Sequence, residues 1–172
     1  MDASLKVPLP SLKKVRSKKF ADYLVQVKTS NRAGANTSAR VYITFHGLYE
    51  DSEEHCLKSN DGYLRDELKE FKYRDHTYVG PIRAITVRHD NTGPSPAWHL
   101  EYVEIVDARS GYVYRFPCHR WLSVHAEDGR ISRRVRCMEV REGQKTIEQV
   151  ATGVPRSSMI PMDASFSASK SE

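Results

Sequence analysis

The sequence predicts an all-β protein, an antiparallel β-sandwich, and two observations carry that prediction. Apolar residues recur at every second position within successive short segments. Turn-forming residues separate those segments every 10–20 residues or so, which suits hairpin-connected strands and not alternating βα units. The period of two follows from strand geometry, because successive side chains project to opposite faces.

From Phe20 the pattern is strand-like: Tyr23, Val25 and Val27 alternate with Leu24, Gln26 and Lys28. Residues 32–38 (Arg-Ala-Gly-Ala-Asn-Thr-Ser) form a turn of small residues that tolerate unusual backbone angles. Val41, Ile43 and Phe45 then alternate with Tyr42, Thr44 and His46. Further strands are expected around Glu54–Leu57 and near Glu70–Tyr73, although propensity alone equally allows a helical turn over Leu64–Lys72. Ile82–His89 is rich in β-branched residues and runs into a loop, His89-Asp-Asn-Thr-Gly-Pro-Ser-Pro96. Over Trp98–Asp107 the alternation predicts Trp98, Leu100, Tyr102 and Val106 on one face and His99, Val103 and Ile105 on the other. After a turn at 108–111, Tyr112, Tyr114 and Phe116 share a face, and Ile131–Met138 is the last predicted strand.

The chain divides into three parts on this reading. Residues 1–19 are a basic arm: Lys6, Lys13, Lys14, Arg16, Lys18 and Lys19 meet no acid between Asp2 and Asp22, and Pro8 and Pro10 break any helix. Residues 20–140 are the sandwich. Residues 141–172 are expected to be a disordered tail, since Arg156–Glu172 is mostly Ser, Ala and Met and offsets little of the entropy of ordering.

Composition narrows the function classes. The 172 residues are 39% hydrophobic with a net charge of +5, enough for a core and somewhat basic. No apolar run reaches the 18 or so residues of a spanning helix, and the first twenty residues lack a signal-peptide core, so a cytoplasmic protein is expected. The sequon Asn36-Thr37-Ser38 is accordingly read as chance. Cys56, Cys118 and Cys137 are widely spaced and odd in number, which fits reduced thiols and neither a disulfide framework nor a zinc site. Nucleic acid is not an expected partner, because the basic residues sit in a Pro-containing arm without interleaved aromatics or a reader motif. Nothing in the sequence sets an oligomeric state.

Two strings are specific enough to suggest a family. They are Arg88-His-Asp-Asn-Thr-Gly-Pro-Ser-Pro-Ala-Trp-His-Leu100 and Phe116-Pro-Cys-His-Arg-Trp-Leu122. Tyr23-Leu-Val-Gln-Val-Lys-Thr29, Val41-Tyr-Ile-Thr-Phe-His-Gly47 and Val79-Gly-Pro-Ile82 add to the pattern. Over residues 21–138 the chain resembles the PLAT domain of polycystins, lipoxygenases and α-toxin, and its polycystin-type members in particular. That resemblance implies a sandwich of two four-stranded sheets acting as a non-catalytic docking module. In lipoxygenases the module accompanies a much larger iron-bearing catalytic domain.

The resemblance also implies sites. Calcium ligands are expected in the loops after the first and second strands, which here hold Asn36 and Ser38, then Glu50 and Asp51. A hard cation asks for such oxygen donors, but the family's usual Asp is replaced by Ser38, and a solvated acidic loop is the plainer reading. Lipid contact is expected from Lys13, Lys14, Arg16, Lys18, Lys19 and Arg32, because Arg32-Ala33-Gly34 offers no aromatic for insertion. Partners are therefore an anionic membrane surface, a membrane-associated protein, or both. The alternative is a purely protein-binding adaptor or a regulatory subunit with no lipid binding, and an adaptor would use surface aromatics such as Tyr42, Tyr73 and Tyr78 as anchors. His89, Asp90, Asn91, Trp98, Phe116, Cys118 and Trp121 are expected to be structural, since no nucleophile motif accompanies His89.

Overall fold

A computed structural model of the chain describes residues 19–143. They form nine strands: β1 (Phe20–Thr29), β2 (Val41–Gly47), β3 (His55–Leu57), β4 (Leu68–Thr77), β5 (Ile82–His89), β6 (Trp98–Asp107), β7 (Tyr112–Leu122), β8 (Ser132–Arg136) and β9 (Glu139–Glu142). Two antiparallel sheets result, one ordered β4-β1-β6-β7-β9 and the other β3-β2-β5-β8. The predicted sandwich is therefore present, with a fifth strand in one sheet. That strand exists because the chain leaves β8, crosses between the sheets at residues 137–138, and pairs along β7 from Arg115 to Tyr112.

Tyr23, Val25 and Val27 of β1 face Val41, Ile43 and Phe45 of β2 and Ile85 and Val87 of β5 across one continuous core. Trp98 is fully buried in that core, and its indole Nε1 donates to the Thr29 hydroxyl at 2.9 Å. Burial with a satisfied N–H makes Trp98 expensive to truncate, about 3–5 kcal/mol for Ala.

Along β6 the predicted faces change partway. Lys28 of β1 pairs with Tyr102, yet Thr29 pairs with Leu100, so Glu101 is an extra residue in β6. An inserted residue reverses the alternation beyond it. Trp98, Leu100, Val103 and Ile105 consequently all enter the core, while Tyr102 turns outward beneath the Arg115 guanidinium, 3.8 Å from its ring. Val106 joins Leu24 and Val113 in a separate apolar cluster. The helical alternative at 64–72 does not form, because β4 is needed as the edge partner of β1 from Leu68 onward.

The edges of the two sheets meet at a histidine pair. His55 of β3 and His76 of β4 approach Nε2 to Nε2 at 2.8 Å. His76 donates from Nδ1 to the Thr77 carbonyl, so its Nε2 is the acceptor and His55 supplies the shared proton.

Hairpin geometry sets where the loops lie. Turns 30–40, 58–67, 90–97 and 123–131 cluster at one end of the sandwich, here the distal end. Turns 48–54, 78–81 and 108–111 cluster at the other, proximal end, where β1 begins.

Candidate docking surface

The proximal end carries an exposed apolar tip. Leu48 and Tyr49 follow Gly47 in the β2–β3 turn and are 50% and 66% exposed. Their backbone is tied down, since Leu48 N–H donates to the Pro81 carbonyl and Tyr49 N–H to that of Val79. Gly47 and Gly80 permit this close approach. A Cβ on Gly47 would lie 2.1 Å from the Val79 oxygen, and Gly80, at φ +85°, sits directly against the Tyr49 ring. Tyr49 meets Tyr78 edge-on at 5.9 Å. Arg109 lies 5.1 Å over the Tyr78 ring and donates to the carbonyl of Phe20, itself 53% exposed. Tyr78 N–H in turn holds the Lys19 carbonyl, so the point where residues 1–18 join the sandwich adjoins this tip.

The distal end uses its polar residues internally. Ser38 exchanges backbone and hydroxyl bonds with Ser95, and the Thr37 hydroxyl donates to the Pro96 carbonyl. Thr37 also bridges Tyr63, so Thr37 and Ser38 staple three loops together. His89 is fully buried. Its Nε2 donates to the Leu122 carbonyl and its Nδ1 accepts from Asn91 N–H, so it is neutral, and burial pushes its pKa down. Asp90 is partly desolvated, which raises its pKa, but bonds from Thr92 and Arg40 outweigh this and bring it to about 2. Both ring nitrogens of His89 are taken by backbone groups, so neither is free to activate a nucleophile. Asn91 takes the left-handed conformation at φ +60° that an Asn tolerates in a loop.

Several expected site residues are not brought together. Asn36 and Ser38 lie at the distal end and Glu50 and Asp51 at the proximal end, separated by the seven-residue β2. At about 3.3 Å per residue that is roughly 20 Å, whereas a calcium ion reaches its oxygens at about 2.5 Å. The four residues cannot share one ion. Asp51 instead lies 3.0 Å from His46 Nδ1. Among the described residues no group of three or more His, Cys, Asp or Glu is placed to hold a metal.

Lys19 and Arg32 are likewise at opposite ends of β1, and Lys13, Lys14, Arg16 and Lys18 lie outside the described residues. Phe116 is buried in the core, and burial raises the pKa of the part-buried Cys118 thiol. Trp121, expected to be structural, is half-buried at the distal end, where it lies over Gly34 and edge-on to His99 at 5.0 Å. Tyr42, Tyr73 and Tyr78, candidate protein anchors, are each half-buried. Leu48 and Tyr49 lie in the turn at the opposite end from Arg32-Ala33-Gly34, where the family resemblance points for an aromatic. A hydrophobic pair just before an acidic stretch was the available signal.

Residues 23–134 match the PLAT/LH2 domain profile. The chain belongs to the PLAT/LH2 domain family. Lipoxygenase homology domain-containing protein 1 of Homo sapiens is 34% identical over 138 residues, covering 77% of this chain and 7% of that protein. Polycystin family receptor for egg jelly of Homo sapiens is 33% identical over 104 residues, covering 59% of this chain and 5% of that protein. This PLAT chain thus spans a small fraction of the curated relatives it matches, and the matched part is a non-catalytic domain. The crystal structure of coral 8R-lipoxygenase, described as calcium-activated through a C2-like domain, superposes with a TM-score of 0.60 at 24% identity, over 69% of this chain and 17% of that one. At that identity the likeness shows the fold.

Proposed function

We propose that this PLAT domain docks, without catalysis, onto an anionic membrane surface through its proximal end. The observation that carries the reading is the exposed Leu48–Tyr49 turn, held rigid beside Phe20 and beside the attachment point of the lysine-rich residues 13–19. An apolar tip entering the interface and nearby cations attracted to acidic headgroups act together, each cation adding about 1 kcal/mol near a charged leaflet. The cytoplasmic leaflet supplies that charge. Calcium is not part of the binding, because the expected ligands are divided between the two ends.

Co-sedimentation with phosphatidylserine-containing and neutral vesicles tests this, with calcium or chelator present. Wild type is expected to pellet with anionic vesicles in both conditions, and less as salt rises above about 0.15 M. Leu48→Asp with Tyr49→Asp, and separately Gln at positions 13, 14, 16, 18 and 19, should each reduce pelleting severalfold. Equal pelleting of wild type and the Leu48/Tyr49 variant would refute insertion of the tip. Absence of pelleting by wild type would leave docking to a membrane-associated protein as the module's use.

A further inference from the structure

The two sheets do not match in width. β9 widens the first sheet past β7, while among the described residues the second ends at β8, which pairs there only with β5. All four residues of β9 are exposed. Val140 pairs with Tyr114, which is buried between the sheets, so Val140 points to the same inter-sheet side. It is nevertheless 52% exposed, and Met138 beside it is 69% exposed. A groove of about 420 Å³ continues this gap along β8, lined by Pro117 and Cys118 of β7 and by β8 itself.

Along β8 itself the uncompensated charge is positive, while Glu139 and Glu142 place carboxylates on β9. Arg120 and Arg133 are neutralised by Glu127 and Asp128, with Arg133 also donating twice to the Trp121 carbonyl. Arg134 and Arg136 have no carboxylate partner among the described residues. They alternate with Val135, which faces the core, and so project together from the outer face of the sheet. Their separation of two residues, about 6.6 Å, is the repeat of any strand laid alongside.

We propose that the β8 edge receives an extended acidic peptide from a partner protein as an added strand of the second sheet. Its sequence alternates acidic and apolar residues. The carboxylates lie beside Arg134 and Arg136 on the outer face, and the apolar side chains turn to the inner one, toward Val140. Backbone N–H and C=O groups along the unpaired side of β8 supply the hydrogen bonds, and the arginines exclude basic strands. The chain's own residues 144–172 carry as many basic as acidic residues and lack this complementarity. This surface is separate from the proximal tip, so the two proposals stand or fall independently.

Fluorescence anisotropy of the full chain tests it, using a labelled peptide of about eight residues, alternating Glu and Val, that spans a strand of ordinary length. Saturable binding is expected. Arg134→Glu with Arg136→Glu should weaken it by about tenfold or more, as should Val140→Lys, whereas Lys72→Glu on the far edge should not. Of the two peptides N-methylated at alternate residues, the one whose methyls replace the N–H groups facing β8 should not bind, whereas the other register keeps those groups and should. Binding of a Lys–Val peptide equally well, or unchanged binding by the double arginine variant, would overturn the proposal. So would retained binding of every N-methylated register, or arginine variants that lose only anionic vesicles with no peptide binding in wild type.

Discussion

Acidification from about pH 7.5 to 5.5 should destabilise this domain through its buried imidazoles. His89 is fully buried and held neutral between the Leu122 carbonyl and Asn91 N–H. His99 is buried under Trp121, with Nδ1 2.6 Å from the Ser30 hydroxyl. Desolvation pushes both pKa values down, and the charge of Arg32 pushes His99 further. In the unfolded chain each titrates near 6.5. The folded state therefore binds fewer protons than the unfolded one, so stability is full above about pH 6.5 and falls below it until the folded pKa is reached. The slope is at most about 1.4 kcal/mol per pH unit for each histidine, which gives a loss of as much as about 3 kcal/mol for the pair at pH 5.5. Asp90 and Asp128, both held at about 2, keep their charge throughout this window and do not mask the effect. Urea titrations followed by tryptophan fluorescence at three pH values measure it. His89→Gln keeps a donor for the Leu122 carbonyl but cannot titrate, so it should lose stability at neutral pH and lower the acid slope by about one proton. A flat wild-type profile, or equal slopes in both proteins, would refute the reasoning.

Three other outcomes follow from packing and charge. Glu104 is nearly buried and pairs with Arg115 at 2.6 Å and Arg141 at 3.1 Å, so Glu104→Gln should cost about 1–3 kcal/mol and speed hydrogen exchange in 139–142, because Arg141 anchors β9 to its sheet. Gly47→Ala drives a Cβ into the Val79 backbone and should lower stability by about 2–3 kcal/mol in thermal melts, with the Leu48–Tyr49 turn displaced. Adding about 1 mM calcium should leave the melting temperature within about 1 °C, since no ligand cluster is assembled among the described residues; a rise of several degrees would show a built site.

What was legible in the sequence was local. Strand positions could be read because period-two alternation is imposed by the backbone itself, as in Tyr23, Val25 and Val27 or Val41, Ile43 and Phe45. Glu101 could not be read, because a bulge adds one residue whose effect appears only in the neighbouring strands' register. β9 was missed because Glu139–Glu142 buries nothing. Its pairing with β7, and the Glu104 pair that holds Arg141, come from distant parts of the chain.

The candidate surfaces divide in the same way. The basic arm and the PLAT motifs are properties of composition and order, and the sequence by itself determined the family, the sandwich and the non-catalytic character. The tertiary structure decided which loops share an end. Successive turns of antiparallel strands alternate between ends, which separates Asn36 from Asp51 and brings Leu48, Tyr49 and Phe20 together. It also left the second sheet one strand narrower than the first, because a strand edge is a vacancy only relative to the sheet packed against it.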